Sequence, residues 1–251
     1  MTLDFDVKRF NEAVEENDEQ HHESLGTLGD DLRELHAETR RAVGGASRRD
    51  FLIRSAIATT TLTIGSQLLP MRSLFSGVAG AQVLTDADIA AFAASLEYTA
   101  VATYTAAAAN GKVTDMAVLD AGSSFSAQHQ AHGDAFAAMT NGAITPGTTN
   151  KNLLTALSTQ LSQAVDEMGV VRVLFQVENA AAATYQFALG ALETLRFKQL
   201  TASILPIEAG HAAVLGQILF AGDPKKDLEK NWLPPFQTEA GFVDPTKNPV
   251  A

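Results

Sequence analysis

The sequence predicts an all-α protein: a four-helix bundle made of two similar helix pairs, joined by a long crossover that contains an extra helix. Three observations support this fold class. Alanine dominates the long apolar segments and favours helix. Asn-Gly pairs stand where two of the helices would end, and one eight-residue motif occurs twice. We predict no strand. With 251 residues, 46% of them apolar, the chain can form one or two domains with a large core.

The composition excludes several classes of function. The chain has no Cys, so disulfides, Cys-ligated zinc and iron–sulfur clusters are excluded. The formal net charge of −11 argues against a nucleic-acid partner, because contacts to phosphates need a basic surface. The sequence leaves the formation of a homo-oligomer open.

Residues 1–46 form an acidic leader, which we interpret as solvated and partly disordered. An alternative is that the true start codon lies further downstream. The leader contains the pair His21-His22. Adjacent residues on a helix point in different directions, so this pair is not expected to clamp a metal. We predict that the leader carries no chemistry.

Residues 47–81 have the pattern of an export signal. Ser47-Arg48-Arg49-Asp50-Phe51-Leu52 matches the twin-arginine motif S-R-R-x-F-L, and residues 55–71 form an uncharged run of weak hydrophobicity. Ala79-Gly80-Ala81 is a small-x-small cleavage site, so the mature chain would begin at Gln82. The expected partner is the twin-arginine translocase, and the expected location is the periplasm, the cell envelope or the medium. The alternative is an uncleaved anchor or a buried helix.

Residues 82–221 contain the predicted bundle. Thr85 is the expected N-cap of the first helix, followed by acids in its first turn. The first helix should end at Asn110-Gly111. The second should run from about Thr114 to Asn141-Gly142. The expected bounds of the remaining helices are Asn152 to Met168 for the crossover helix, Val170 to Leu195 for the third bundle helix and Lys198 to Phe220 for the fourth.

Two features of the last part of the chain affect its expected shape. Pro206 lies inside the fourth helix and should bend it. Residues 222–251 are rich in Pro, so they cannot form a regular helix. We predict that this irregular tail packs on the bundle through Trp232 and Phe236.

The internal repeat relates the two helix pairs. The segment from Glu97 to Tyr104 and the segment from Glu178 to Tyr185 both read E-x-x-A-x-A-T-Y, with five of eight positions identical. His132 follows Glu97 by 35 residues, and His211 follows Glu178 by 33 residues. The chain therefore has the pattern of one helix pair present in two copies.

Each copy places possible metal ligands at helical spacing. Glu208 and His211 lie three residues apart, as do His129 and His132, so each pair shares one helix face. Glu178 and Glu208 are surrounded by apolar residues, where an unpaired carboxylate would be costly. A carboxylate beside a neutral imidazole suits a first-row divalent ion such as iron or manganese.

This arrangement resembles the ferritin-like di-iron and di-manganese carboxylate proteins, over about residues 85–221. In that family two helices each supply a Glu and two each supply Glu-x-x-His. The pattern is matched here by Glu97, His132, Glu178, Glu208 and His211. At position 129 the family has Glu and this chain has His. The resemblance implies a site with two ions of iron or manganese, or one ion if His129 prevents bridging.

The remaining predicted site residues are two tyrosines. Tyr104 and Tyr185 each follow a repeat Glu by seven residues, about 10 Å along the helix. Helical side chains lean toward the N-terminus, so each phenol is predicted to reach back toward the Glu of its own helix and to orient that ligand. The alternative is a core tyrosine whose hydroxyl is satisfied elsewhere.

Two classes of function are compatible with these patterns. The first, implied by the resemblance, is metal-dependent redox chemistry on O2, peroxide or ferrous iron, with electrons from an outside donor because the chain has no Cys. The second is a non-catalytic envelope or stress-related bundle that binds one metal ion or none. Metal content distinguishes them.

Overall fold

The structure, a computed structural model, describes residues 5–23, 62–64, 67–69 and 85–220. Several predicted features lie outside these residues: the rest of the acidic leader, the twin-arginine motif, the cleavage site and the tail from residue 222.

The described part of the chain contains six helices and two short strands, and the predicted all-α bundle is confirmed. The first helix, α1, covers residues 7–23. The other elements, in chain order, are β1 (Leu62–Ile64), β2 (Gln67–Leu69), α2 (Asp86–Ala109), α3 (Met116–Met139), α4 (Lys151–Gln163), α5 (Glu167–Ala191) and α6 (Leu195–Leu219). The bundle helices are α2, α3, α5 and α6, and α4 is the crossover helix.

Side-chain caps determine where four helices begin. Thr85 forms a capping box with Asp88 at the start of α2. Asp115, Asn150 and Asp166 each accept a hydrogen bond from a backbone N–H in the first turn of α3, α4 and α5. These caps satisfy donors that would otherwise lack a partner, so each helix starts at a defined residue.

Two predicted helix ends are wrong because caps take precedence over apolar spacing. The crossover helix ends at Gln163 rather than Met168, since Asp166 already caps the next helix, and Val165 is 89% exposed. Helix α5 ends at Ala191 rather than Leu195. The backbone N–H groups of residues 193 and 194 donate instead to the Asp86 carboxylate at the start of α2.

The strands contradict the prediction that the chain has none. They pair antiparallel, with Leu62 opposite Leu69 and Ile64 opposite Gln67. Branching at Cβ favours strand geometry, and Thr63 and Ile64 are both branched there. The alternative of a buried helix in the uncharged run therefore fails at these residues.

The four bundle helices form two close pairs, α2 with α3 and α5 with α6. Within the first pair Tyr98 contacts Asp134 while Tyr104 contacts Phe125, so the two helices are antiparallel. A Cβ on Gly133 would lie 2.8 Å from the Tyr98 ring, so only glycine permits this close approach. The pairs meet through α2 with α5 and α3 with α6, and α4 packs on α2 and α5.

Helix α6 is continuous through Pro206. By length and composition it is apolar enough to cross a membrane. In the bundle it packs along α5, and its polar residues Glu208 and His211 are completely buried. Its apolarity is therefore that of a core helix.

The described part of the leader forms a helix with one face buried on the bundle, whereas the leader was predicted to be solvated. Phe10 on α1 is fully buried in the main apolar cluster, and Asn17 and His21 are also buried. With Val14, these residues recur at intervals of three or four and form one face of a helix. Helix α1 lies on α3 and α6, on the opposite side of the bundle from α4.

Candidate metal centre

The bundle core is divided by a band of buried polar side chains. One apolar cluster includes Phe125, Phe175 and Leu215, and a second includes Phe136 and Ile204. Between the clusters lie the six side chains predicted as metal ligands, each at most 1% exposed: Glu97, His129, His132, Glu178, Glu208 and His211. The fold thus brings together residues that are far apart in the sequence.

The six side chains form two overlapping groups. One consists of Glu97, His129, His132 and Glu208, and the other of His129, Glu178, Glu208 and His211. In each group one nitrogen or oxygen atom per residue lies within 4.8 Å of the others. His129 and Glu208 belong to both groups, so two ion positions would share them.

Close contacts link the imidazoles to the carboxylates. His129 Nδ1 lies 2.7 Å from Glu97 Oε2, and its Nε2 lies 3.1 Å from Glu178 Oε1. His132 Nδ1 is 2.9 Å from Glu208 Oε1, and His211 Nδ1 is 3.1 Å from Glu178 Oε2. His129 therefore spans the two repeat glutamates, whereas His132 and His211 point one nitrogen each into the cluster.

These contacts change the ionisation of the cluster. Burial alone would raise the pKa of Glu97, but His132 and His129 lower it to about 2. Burial alone would lower the pKa of His132, but Glu97 and Glu208 raise it to about 9. The pKa of Glu178 is likewise lowered well below its ordinary value, because His129 and His211 outweigh burial. Its raised pKa keeps His132 protonated at neutral pH, and the neighbouring carboxylates also raise the pKa of His129 and that of His211, so the imidazoles offset the charge of the carboxylates when no metal is bound.

Three atoms in the cluster show that a cation fits there. Both carboxylate oxygens of Glu208 and Nδ1 of His132 are buried without a hydrogen-bond partner among the described residues. The 2.9 Å contact between His132 and Glu208 has the distance of an ion pair but not the angles of a hydrogen bond. Buried polar atoms normally have partners. Carboxylate oxygens and an imidazole nitrogen are ligands suited to iron or manganese.

The two predicted tyrosines do contact repeat glutamates, but not those of their own helices. Tyr104 donates to Glu178 Oε1 at 2.5 Å, and Tyr185 donates to Glu97 Oε1. The prediction that each phenol reaches the Glu seven residues before it is wrong. Tyr104 meets Glu178 while Tyr185 meets Glu97, so α2 and α5 run antiparallel and each Tyr lies opposite the other helix's Glu.

Both phenols remain hydrogen-bond donors. Burial and then the adjacent carboxylate raise the pKa of Tyr104 and that of Tyr185 well above the ordinary value. Each hydroxyl therefore keeps its proton at neutral pH and donates a hydrogen bond to the carboxylate oxygen that it contacts. Each bond limits the directions in which the remaining lone pairs of Glu97 and Glu178 can point.

A cavity of about 40 Å³ lies beside the cluster, bounded by α2, α4 and α5. Glu97, His129 and Tyr185 reach its wall, and Leu153 and Leu157 of the crossover helix contribute apolar surface. A space of this size holds a few water-sized molecules. It is large enough for O2 or peroxide.

On the opposite side, two further polar residues contact the cluster and a third contacts one of these two, and the sequence did not indicate them. His132 Nε2 lies 3.2 Å from Nδ1 of His21 on α1. His211 Nε2 lies 2.7 Å from Gln128 Oε1, and the Gln128 amide donates to Asp18 at 2.9 Å. The leader, for which no chemistry was predicted, thus places His21 of α1 against a predicted ligand.

The contact of His21 was not predicted because His21 was considered together with its neighbour His22. Adjacent residues do point apart, as expected: His21 is buried whereas the His22 side chain is 74% exposed. Burial and then the neighbouring His132 lower the pKa of His21 to about 4, so His21 is neutral at pH 7. The helical spacing of Phe10, Val14 and His21 was the signal that could have identified the packed face.

A four-helix bundle with a buried Glu and His cluster defines a class of helical proteins with a candidate metal centre. The family model of the ferritin-like domain matches residues 85–221, which is more than half of the chain. The chain belongs to this ferritin-like family. Comparison with curated proteins gives no match, and comparison with solved structures gives none either.

Proposed function

We propose that this protein binds a pair of iron or manganese ions in the buried cluster and uses them for redox chemistry. The observation that carries the proposal is the convergence of six buried ligand-type side chains in two overlapping groups, with unpartnered atoms on Glu208 and His132. Glu97 and His132 would hold one ion, and Glu178 and His211 the other. Glu208 and His129, which belong to both groups, would complete the two ligand sets.

When bound, such an ion pair supplies electrons to O2 or peroxide, or oxidises ferrous iron with O2. The chain's own residues would prepare the site for this chemistry. Tyr104 and Tyr185 orient the two repeat glutamates, and the cavity beside Glu97 admits a small reactant while its apolar wall limits water. Because the chain has no Cys, repeated reduction would need an outside electron donor.

Metal analysis of protein purified without chelator tests this proposal. We expect two ions of iron or manganese per chain, or one if His129 excludes bridging. Addition of Fe(II) in air should then be followed by its oxidation faster than in buffer alone. A protein that is metal-free and also fails to take up Fe(II) or Mn(II) would refute the proposal.

The second candidate is a non-catalytic envelope or stress-related bundle with one ion or none. The observation that favours it is the position of His129, whose two ring nitrogens contact Glu97 and Glu178. Three imidazoles can neutralise three carboxylates without a metal. Uptake of metal without Fe(II) oxidation or peroxide turnover would favour this candidate.

We also propose that the protein is exported by the twin-arginine translocase and reaches the periplasm, the cell envelope or the medium. The support is the sequence motif around Arg48 and Arg49. That route carries folded proteins, so metal could be bound before export. Replacing both arginines by Lys should leave the precursor in the cytoplasm, whereas the wild type should yield a chain beginning at Gln82. Unchanged export of the double variant would refute this proposal.

A further inference from the structure

We propose that α1 supplies the outer hydrogen bonds of the metal centre, with His21 and Asp18 as positioning residues for the ligands His132 and His211. The inference deepens the proposed function and rests on it, because it concerns how the candidate ligands are oriented. It assigns a role to a segment that precedes the ferritin-like domain and lies outside the family match.

The first step concerns His132. Its Nδ1 faces Glu208 and Glu97 inside the cluster, at 2.9 Å and 3.6 Å. An imidazole that binds metal through Nδ1 keeps its proton on Nε2, and a partner for that N–H fixes the ring and its tautomer. The atom in position to accept this hydrogen bond is Nδ1 of His21, at 3.2 Å from His132 Nε2. His21 is itself buried, so water does not replace it easily.

The second step concerns His211, which repeats the arrangement through one more residue. Its Nδ1 faces Glu178, and its Nε2–H donates to Gln128 Oε1 at 2.7 Å. The Gln128 amide must therefore present its oxygen to His211 and its nitrogen outward. Asp18 Oδ1 accepts from that nitrogen at 2.9 Å and so fixes the orientation of the amide. Both histidines that point Nδ1 into the cluster thus depend on α1 for their outer contacts.

The third step concerns the surface of the bundle on which α1 packs. Asn17 donates to the backbone carbonyl of Ile207 at 3.3 Å, one turn before the ligand His211. A Cβ on Gly210 would lie 2.2 Å from Nδ2 of Asn17, so the glycine leaves the space that the Asn17 amide occupies in its bond to Ile207. Phe10 anchors the other end of α1 in the apolar core.

In the sequence, α1 precedes the proposed export motif and its cleavage site. Cleavage after Ala81 would therefore break the covalent link between α1 and the bundle. We infer that the full chain holds metal more tightly than a chain from which α1 has been released.

Titration of the full chain with Co(II), followed by visible absorption, tests the positioning role. His21→Ala should bind Co(II) about 10- to 100-fold more weakly, the usual effect of losing an outer hydrogen bond to a ligand. His21→Asn places an acceptor near the position of Nδ1 and should recover much of the affinity. The matched control is Gln20→Ala, because Gln20 is an exposed, uncharged residue on the same helix. It should bind like the wild type.

A second variant loosens the packing of α1 without changing any residue that contacts the cluster. Gly210→Ala should push the Asn17 amide out of its bond to Ile207 and so weaken Co(II) binding, while the bundle keeps its helicity, since Ala favours helix. Adding Asn17→Ala removes the clashing amide and leaves its Cβ 4.0 Å from the new methyl group. The double variant should therefore recover affinity relative to Gly210→Ala alone.

The outcomes separate the two proposals. If the wild type takes up no metal, the proposed function fails and the positioning role fails with it. If the wild type binds Co(II) and His21→Ala binds it equally well, only the positioning role is refuted. The same holds if His21→Asn is as weak as His21→Ala, or if Gly210→Ala leaves affinity unchanged. Circular dichroism without metal identifies a variant that fails to fold, and the Gly210→Ala pair then decides.

Discussion

The two halves of the candidate metal centre have the same ligand positions, but residue 129 in the first half and residue 208 in the second differ in their hydrogen bonds. In the first half, position 129 is an imidazole whose two nitrogens both contact carboxylates. In the second half, the equivalent position 208 is a carboxylate whose two oxygens have no hydrogen-bond partner among the described residues. The difference indicates that His129 is bonded to both repeat glutamates without metal, whereas the oxygens of Glu208 remain available to a cation.

This difference also explains how the cluster can exist before metal is bound. A buried carboxylate without a partner is costly, and several such groups together would destabilise the core. His129 lies between Glu97 and Glu178 and contacts both, so the acids of the two repeats share one imidazole. His129 therefore stabilises the cluster without metal, while the two oxygens of Glu208 keep no hydrogen-bond partner among the described residues.

The largest expected effect comes from Glu208. Glu208→Gln removes the charge of a carboxylate whose oxygens accept no hydrogen bond among the described residues, and it should weaken Fe(II) or Mn(II) binding by at least about 100-fold, more than the loss of an outer contact. The matched control is Glu167→Gln, a buried acid that bonds to the loop before α3 and lies outside the cluster. Metal binding by anaerobic titration should be unchanged in the control. Equal loss in both variants would contradict the assignment of Glu208.

Replacing His129 tests the first half of the site, where the imidazole contacts both repeat glutamates. His129→Glu restores the family pattern and adds a negative charge, so metal should bind more tightly, whereas His129→Ala should weaken binding. Without metal, His129→Glu should lower the melting temperature, because it sets a further acid against Glu97 and Glu178. Melting curves with and without Mn(II) measure both effects. A silent Ala variant, together with a Glu variant that metal does not rescue, would remove His129 from the site.

The ligand cluster was predictable from the sequence because the duplicated spacing encodes it. Glu97 and Glu178 mark equivalent turns of two helices, and an i, i+3 pair on a helix shares a face in any fold. The outer contacts were not predictable in this way. Whether Tyr104 meets Glu97 or Glu178 depends on the antiparallel register of α2 and α5, which spacing within one helix does not determine.

The packing of α1 on the bundle was not predictable for a different reason. Its acidic composition suggested a solvated segment, and its apolar face consists of few residues, with Asn17 and His21 continuing it. The apolar character of such a face becomes apparent only when the surface it covers is known. Gly210 is similar: the sequence shows a glycine between two ligands, but only the position of Asn17 explains it.

Proton release on metal binding should follow from the raised pKa of His132. Its folded pKa of about 9 lies above the ordinary 6.5, so the imidazolium contributes stability below pH 6.5 that is lost as the pH rises through 9. A metal must displace this proton, so affinity should rise with pH between 7 and 9, by about tenfold per unit for each proton released. Calorimetry in two buffers of different ionisation enthalpy counts the protons. A pH-independent affinity over this range would contradict the assignment.

The smallest expected effect concerns Tyr104 and Tyr185, each of which donates to the repeat Glu of the other helix. Tyr104→Phe and Tyr185→Phe each remove one hydrogen bond to a repeat Glu, so each should weaken metal binding, by less than the loss of a ligand. Tyr98→Phe is the matched control, because its hydroxyl donates to Asp134 outside the cluster. It should leave metal affinity unchanged.

A double-mutant cycle distinguishes the crossed arrangement from one within each helix. In the metal-free protein, Tyr104→Phe combined with Glu178→Gln should show a coupling of about 1–2 kcal/mol in the free energy of unfolding, since the two groups share a charge-assisted bond. Tyr104→Phe combined with Glu97→Gln should be nearly additive. Urea denaturation of the single and double variants measures both couplings. A larger coupling of Tyr104 to Glu97 than to Glu178 would mean that each tyrosine serves its own helix, and that α2 and α5 have a different register.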